Sequence, residues 1–290
     1  VSLSDIEMNA NLSIHDGIET SKIHQILIKS ANDLISTAEP NYQYVAARLL
    51  NMQLRKEVWG CADKPREFLL FLQNNVDNGV YDPELLEKWS EEDIQTLEGH
   101  IVHGRDDQFT YAGLQQMIDK YLVKNRSSGR IYETPQFAYM SIAMCLFDDL
   151  RDVKEAYDCY STFKINLPTP IMAGVRTTIR QFASCVLVDV DDDLDSIFSS
   201  VHAVGKYTAR RAGIGLNIGR MRPINSPIRG GEVIHTGVIP YLKNFESAVK
   251  STSQNGLRGG SATAHIPFWH YEIEDVIVLK NNAGTDDNRV

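Results

Sequence analysis

The sequence predicts an α/β protein in two parts, a mostly helical first half followed by a half in which short strands alternate with helices. Two observations carry this. Apolar residues recur at helical spacing from residue 20 to about 165, and after "NLPTPIMAGVRTTIR" the texture changes to short apolar runs separated by helical stretches. No internal repeat or low-complexity linker separates the halves, so they are expected to pack closely.

In the first half, Ile23, Ile26, Leu27, Ser30 and Leu34 make one helical face. Tyr44, Leu49, Met52 and Val58 make a second, which Trp59-Gly60 ends. "DPELLEKW" (82–89) opens with Asp82 at an N-cap and Pro83 at the first helical position, and "TPQFAYMSIAMCLF" uses Thr134-Pro135 in the same roles. In the second half "SCVLVDV", "GIGLNIG", "SATAHIPFW" and "EIEDVIVLK" read as strands. "DLDSIFSSVHAVGKYTARR" and "HTGVIPYLKNFESAVKST" read as helices between them. That alternation is the pattern of a parallel or mixed sheet covered by crossover helices.

Composition narrows the function. With 290 residues, 43% hydrophobic and 23% charged, the chain is of ordinary soluble globular type. A net charge of -9 argues against a nucleic-acid duplex as partner, because neutralising phosphates needs a clustered basic surface. Small phosphorylated ligands remain compatible. No apolar run approaches the roughly 20 residues that span a bilayer. The opening "VSLSDIEMNA" lacks a basic and an apolar leader region, so a cytoplasmic protein without membrane contact is expected. Cys61, Cys145, Cys159 and Cys185 show no CxxC spacing, which fits reduced thiols and no zinc site; any disulfide would be transient and catalytic.

The stretch "RQFASCVLVDVDDDLDSIF" (180–198) puts a cysteine at the head of an apolar strand and five aspartates after it. On the helix at 193–210, Leu194, Ile197, Val201, Val204 and Tyr207 form the apolar face, with Asp192 at the N-cap position and Asp195 as the acidic member of a capping box. The helix dipole accounts for one or two carboxylates there, not for Asp189, Asp191, Asp192, Asp193 and Asp195 together. An acceptor cluster for ligand hydroxyls is the sharper alternative. "GIGLNIG" has neither the spacing nor the preceding strand of a dinucleotide fingerprint. "SPIRGGEVIH" and "GLRGGSATAHI" each set an arginine before two glycines, as a phosphate-binding loop would, or as an ordinary surface turn. Cys185 alone reads as a small hydrophobe. His235, ahead of a helix, is either a phosphate donor or a capping or packing residue.

Taken together, "STFKINLPTPIMAGVRT", "RQFASCVL", "ARRAGIGLNIGRMR", "SPIRGGEVIHTGVIPYLKNFESAVKS", "NGLRGGSATAHIPFWH" and "LKNN" resemble the large, catalytic subunit of class I (aerobic) ribonucleotide reductase over about residues 160–283. "DGIETSKIHQILIKSANDLIS" and "YQYVAARLLNMQLRK" extend the likeness more loosely into the first half. The resemblance implies an α/β fold in three parts. These are a partial ATP cone (1–60), a helical N-terminal domain (61–180) and the first part of a ten-stranded α/β barrel (181–290).

It further implies that Cys185 is one of two thiols that supply reducing equivalents as the ribose 2'-hydroxyl leaves, ending as a disulfide. Thr169 and Ser184 would hold the substrate phosphate and ribose, with Ala212 and Gly213 lining the same pocket. Asp192, Asp193 and Leu194 would surround the deoxyribose of a deoxynucleoside triphosphate (dNTP) effector, and Arg222 and Arg229 its phosphates. The loop around Gln254 and Arg258 would carry effector identity to the substrate base, and Thr20, His24 and Lys56 would contact nucleotide in the cone. The implied ligands are ATP and dNTP effectors with Mg2+, and no metal or covalently held cofactor is expected in this chain. The radical would come from a metal cofactor in a separate small subunit. The implied partners are that subunit, a second large subunit through helices 193–210 and 235–252, thioredoxin or glutaredoxin, and a remaining C-terminal segment of the large subunit. No cysteine follows Cys185, so the chain is expected to be an incomplete catalytic subunit, inactive alone. A non-catalytic nucleotide-binding regulatory module is the alternative.

Overall fold

The computed structural model describes residues 1–11, 13–125, 127–252 and 260–280. The chain divides into two compact units, Val1–Phe182 and Ala183–Val290.

The first unit is helical. Helices α1 (Leu3–Asn11), α2 (Thr20–Asp33) and α3 (Tyr42–Trp59) share a small core of Ile6, Ala31, Tyr42 and Ala46. Helix α3 ends at Gly60, whose φ of 84° suits glycine at a left-handed cap. Its buried stripe runs through Ala47, Asn51, Leu54 and Val58, leaving Met52 exposed rather than on the apolar face. The polar Asn51 on that stripe obscures its period. Beyond lie α4 (Phe68–Asp77), α5 (Glu84–Lys88), α6 (Glu91–Glu98), a 3-10 turn at His103–Gln108, and α7 (Tyr111–Gln116), which runs into a π-helical turn at Met117–Tyr121. Helices α8 (Pro135–Leu146), α9 (Leu150–Ser161) and α10 (Thr169–Gly174) complete the unit. Residues 135–144 of α8 are all buried, so this helix is the axis of the larger core. It starts at Thr134-Pro135 as expected, without a side-chain cap bond. Helix α5 starts one residue later than expected, although the Asp82 carboxylate still accepts from the Glu84 N–H at 3.0 Å.

In the second unit β1 (Cys185–Asp189), α11 (Leu194–Ala209) and β2 (Gly213–Asn217) form a β-α-β unit. A hairpin of β3 (Pro227–Ile228) and β4 (Val233–Ile234) follows, then α12 (Ile239–Thr252), β5 (Ala262–His265) and α13 (Ile273–Ile277). The three-stranded sheet has the order β1-β2-β5 and is parallel throughout. Val186, Val188, Ile214 and Leu216 face the core with Ile197, Val204 and Phe245 of the helices. Because the helices cover only that face, Cys185, Leu187 and Asp189 point outward and are exposed. The strand is therefore half-open, not buried as its apolar run suggested.

Two further expectations are corrected. "EIEDVIVLK" forms α13, not a strand: Val276 and Leu279 pack on the core at helical spacing while Ile277 is exposed. The buried face of α11 is Ile197, Ser200, Val204 and Thr208, whereas Leu194 and Phe198 are exposed.

One buried ion pair organises the end of the first unit. Arg176 is fully buried, and its guanidinium forks onto Glu133 (Nε to Oε2 2.8 Å, with a shorter Nη2 to Oε1 contact). It also donates to the Met172 carbonyl of α10 at 2.6 Å and to the Tyr121 carbonyl at 3.0 Å. Tyr81 donates to the same carboxylate, and burial, then that carboxylate, push its hydroxyl well above the usual tyrosine range. Losing one partner would leave a buried charge uncompensated, so Glu133→Ala should destabilise the protein by about 3 to 5 kcal/mol. A Glu133→Leu/Arg176→Met double variant should recover most of that loss. Urea unfolding at unchanged m-value tests both.

A second buried cluster faces α3. Asp106 pairs with Arg55 at 3.1 Å and accepts from Gln136 at 2.9 Å, and Tyr157 donates to Gln136 at 2.7 Å. His103 beside it stacks edge-on against Trp59 and Phe137. Burial, and secondarily the Arg55 charge, lower its pKa from 6.5 to about 4. As pH falls below 6.5, the unfolded chain takes up a proton that the folded ring refuses until about pH 4. Stability should drop across that window by about 2 to 3 kcal/mol from this group. His103→Phe, which keeps the ring contacts, should remove that part of the slope in urea titrations between pH 7 and pH 4.

Candidate functional site

The parallel register sets Cys185 opposite Gly213, and the Gly213 N–H donates to the Ser184 carbonyl at 2.8 Å. Three of the expected substrate residues, Ser184, Ala212 and Gly213, therefore meet the expected reducing thiol, Cys185, at the amino ends of β1 and β2. The Cys185 thiol is exposed on the open face of the sheet. Thr169 belongs to the first unit, as the first residue of α10, the helix whose Met172 carbonyl Arg176 holds.

The carboxyl ends of the same two strands gather the acidic run. Asp189 is bound by Arg220 at 2.9 Å and by the Asn217 amide at 2.6 Å, and Asp191 by Arg220 at 2.8 Å. Asp192 receives both the backbone N–H of Arg222 (2.8 Å) and its guanidinium Nε (2.7 Å). The N-cap of α11 is Asp193, not Asp192: its carboxylate accepts from the Ser196 N–H at 2.8 Å. No capping box closes through Asp195; instead the Ser196 Oγ accepts from the Asp191 N–H, two residues before the cap, at 3.0 Å. Side-chain partners thus account for Asp189, Asp191 and Asp192, and a backbone N–H of the helix start for Asp193. Leu194 is exposed at the first turn of the helix.

Arg222 also reaches the Pro227 carbonyl at 3.4 Å, at the start of the hairpin that bears Arg229. Arg229, Gly230 and Gly231 form its turn, all at positive φ (52°, 70° and 98°). The glycine pair answers that backbone requirement. Arg229 itself is exposed. The expected loop residues Gln254 and Arg258 lie outside the described residues. His235 is a packing residue of the segment before α12: it is buried, accepts from the Gly237 N–H at 3.1 Å and stacks on Tyr241.

In the first unit, His24 on α2 bonds the Leu49 carbonyl of α3 at 2.6 Å, while Thr20 and Lys56 are exposed on the same two helices. Sequence reasoning did not single out a cleft of about 400 Å³ lined by Asp82, Glu84, Lys88, Cys145, Arg180 and Phe182. Its cations are already paired, Arg180 with Asp82 and Glu84 and Lys88 with Asp148. Burial pushes the Cys145 thiol up to about 11, which makes it a poor nucleophile. Among the described residues no helix is long and apolar enough to cross a membrane, and no group of three or more His, Cys, Asp or Glu side chains is placed to hold a metal ion.

Comparison with known proteins adds a family. Residues 107–180 match the ribonucleotide reductase all-alpha domain and residues 183–290 its barrel domain. Over its whole length the chain is 51% identical to the ribonucleoside-diphosphate reductase 1 subunit alpha of Salmonella typhimurium and 50% identical to that of Escherichia coli. It is also 50% identical to the ribonucleoside-diphosphate reductase subunit alpha of Enterobacteria phage T4. It spans 39% of the length of each of these relatives.

The cap assignment is directly testable. Asp193→Ala should cost about 1 kcal/mol of stability, while Asp193→Ser should lose only a few tenths. Thermal unfolding of the two variants separates this from a site in which Asp192 is the cap.

Proposed function

The chain belongs to the ribonucleotide reductase alpha-subunit family, and we propose that it forms part of a class I ribonucleoside-diphosphate reductase catalytic subunit. The reading rests on one observation above all. The β1–β2 register gathers Ser184, Cys185, Ala212 and Gly213 at one end of a strand pair and joins Asp192 to Arg222 at the other.

In this reading Cys185 is one of two thiols. Together they give up two electrons and two protons, the 2'-hydroxyl departs as water, and the sulfurs join as a disulfide. The disulfide is returned to two thiols by thiol–disulfide exchange, with thioredoxin or glutaredoxin as the final source of electrons. The second thiol and the radical-bearing cysteine belong to the remaining C-terminal segment, which completes the barrel. The initiating radical comes from the metal cofactor of a separate small subunit. Ser184 and Thr169 hold the ribose and phosphate of the substrate.

A dNTP, carried with Mg2+, binds at the far end of the strand pair. Asp192 and Asp193 accept from its deoxyribose and Leu194 packs beside it. Arg222 and Arg229 meet its phosphates, and the stretch with Gln254 and Arg258 transmits its identity. The Asp192–Arg222 pair supports this as a preformed site in which each side chain fixes the other's geometry. Exposed Leu194 and Phe198, one turn apart on α11, support pairing with a second large subunit. Thr20, His24 and Lys56 contact nucleotide in the partial ATP cone.

Two variants in the complete large subunit, assayed with its small subunit, test the proposal. Cys185→Ser should abolish dNDP formation with effector affinity unchanged. Arg222→Ala should weaken dNTP binding by about 1 to 3 kcal/mol in calorimetry. Full turnover without Cys185 would reduce that residue to a packing side chain. Unchanged affinity for every dNTP in Arg222→Ala would overturn the effector site and leave the acidic run as a capped, ion-paired turn.

A further inference from the structure

Arg222 is held by Asp192 from one side, and its backbone is held from the other by residues fifty positions later in the chain. The carbonyl of Met221, immediately before it, bonds His270 Nε2 at 2.9 Å. The N–H of Ile224, two residues after it, donates to Glu272 Oε2 at 2.9 Å. Both side chains are buried. The same carboxylate accepts from the Val238 N–H at the start of α12, at 3.1 and 3.3 Å to its two oxygens. The Glu272 N–H in turn donates to His270 Nδ1 at 3.2 Å, which locks the two together. Gly237 is part of this fit: a Cβ there would lie 2.4 Å from Glu272 Oε1, so a side chain at 237 would push the carboxylate away. The hairpin is tied in as well, through the Asn225 N–H to the His235 carbonyl (2.9 Å) and the His235 N–H to the Ser226 carbonyl (2.8 Å).

We propose that Glu272, with His270, is the positioning residue of the effector's phosphate site. It holds the 221–224 turn against the start of α12 so that the Arg222 guanidinium is presented at one fixed place. Neither residue touches the ligand; both act through Arg222, and the inference rests on the effector-site reading of Asp192 and Arg222. A buried carboxylate taking three backbone contacts from two segments is strong, directional bonding. Releasing it frees the turn rather than removing a charge from the ligand's surroundings. The loss should therefore be the same for every base, because phosphate is common to all dNTPs.

The test is a double-variant cycle in the complete large subunit, read by equilibrium binding of dTTP and dGTP. Glu272→Gln keeps shape and volume but removes one acceptor oxygen. It should weaken both nucleotides by about tenfold, the size of one misplaced charged hydrogen bond. In an Arg222→Ala background it should add little. If Glu272→Gln does not unfold cooperatively, His270→Asn, which cuts the strut to Met221, is read in its place and should give the same pattern. Wild-type affinity in Glu272→Gln, a loss that differs between the two bases, or a loss that adds fully to that of Arg222→Ala would overturn the positioning role. If Arg222→Ala itself leaves binding unchanged, the effector-site reading fails instead, and the two failures are told apart by that single variant.

Discussion

Parallel pairing of β1 with β2, Cys185 against Gly213 through Asp189 against Asn217, is the constraint on which the second unit depends. Parallel strands have their amino ends together and their carboxyl ends together. One register therefore decides both clusters, the thiol with Ser184 and Gly213 at one edge and the aspartates with Arg220 and Arg222 at the other. At about 3.3 Å per residue, a five-residue strand separates them by roughly 13 Å. Open α/β sheets bind ligands outside the carboxyl ends of their strands, and the acidic cluster lies there. The cysteine lies at the opposite edge, so the two clusters share a scaffold without sharing a pocket.

Electrostatics makes the acidic turn tenable. Taken alone, the carboxylates from Asp189 to Asp193 repel one another. In the fold Arg220 bridges Asp189 and Asp191, Arg222 holds Asp192, and the α11 amino end holds Asp193. All of these groups are partly or fully solvent-facing, so each pair contributes modestly to stability. Their value lies in geometry: they fix the direction of the loop between β1 and α11 and that of the turn after β2.

Much of this was legible from the residues, and what was not has a physical reason. Local signals read well: Gly60 closing α3, Thr134-Pro135 opening α8, and the alternation that placed β1, α11, β2 and α12. Signals needing a partner far along the chain did not. The acidic run was visible, yet its partners Asn217, Arg220 and Arg222 lie about thirty positions on. Asp193 and Asp192 compete for the same cap by composition, and only the backbone conformation decides between them. "EIEDVIVLK" carries an apolar run that suits a strand or a helix, and the packing of Val276 and Leu279 selected the helix. Glu272 and His270 were invisible because a buried carboxylate bonded to backbone N–H groups leaves no pattern in sequence. The roles proposed for Cys185 and its neighbours come only from the resemblance, since a lone thiol on an apolar strand carries no local signature.

The distance along the chain between the aspartates and their arginines also bears on how this unit comes into being. When residues up to Asp195 have emerged and those beyond 217 have not, the acidic turn has only water and salt to moderate it. Docking β2 against β1 closes a loop of about two dozen residues, most of which α11 takes up as helix, so the entropic cost is moderate. That same docking event delivers Arg220 and Arg222. Strand pairing and charge neutralisation are thus one cooperative step, and added salt, by screening repulsion before that step, should hasten collapse while weakening the finished ion pairs.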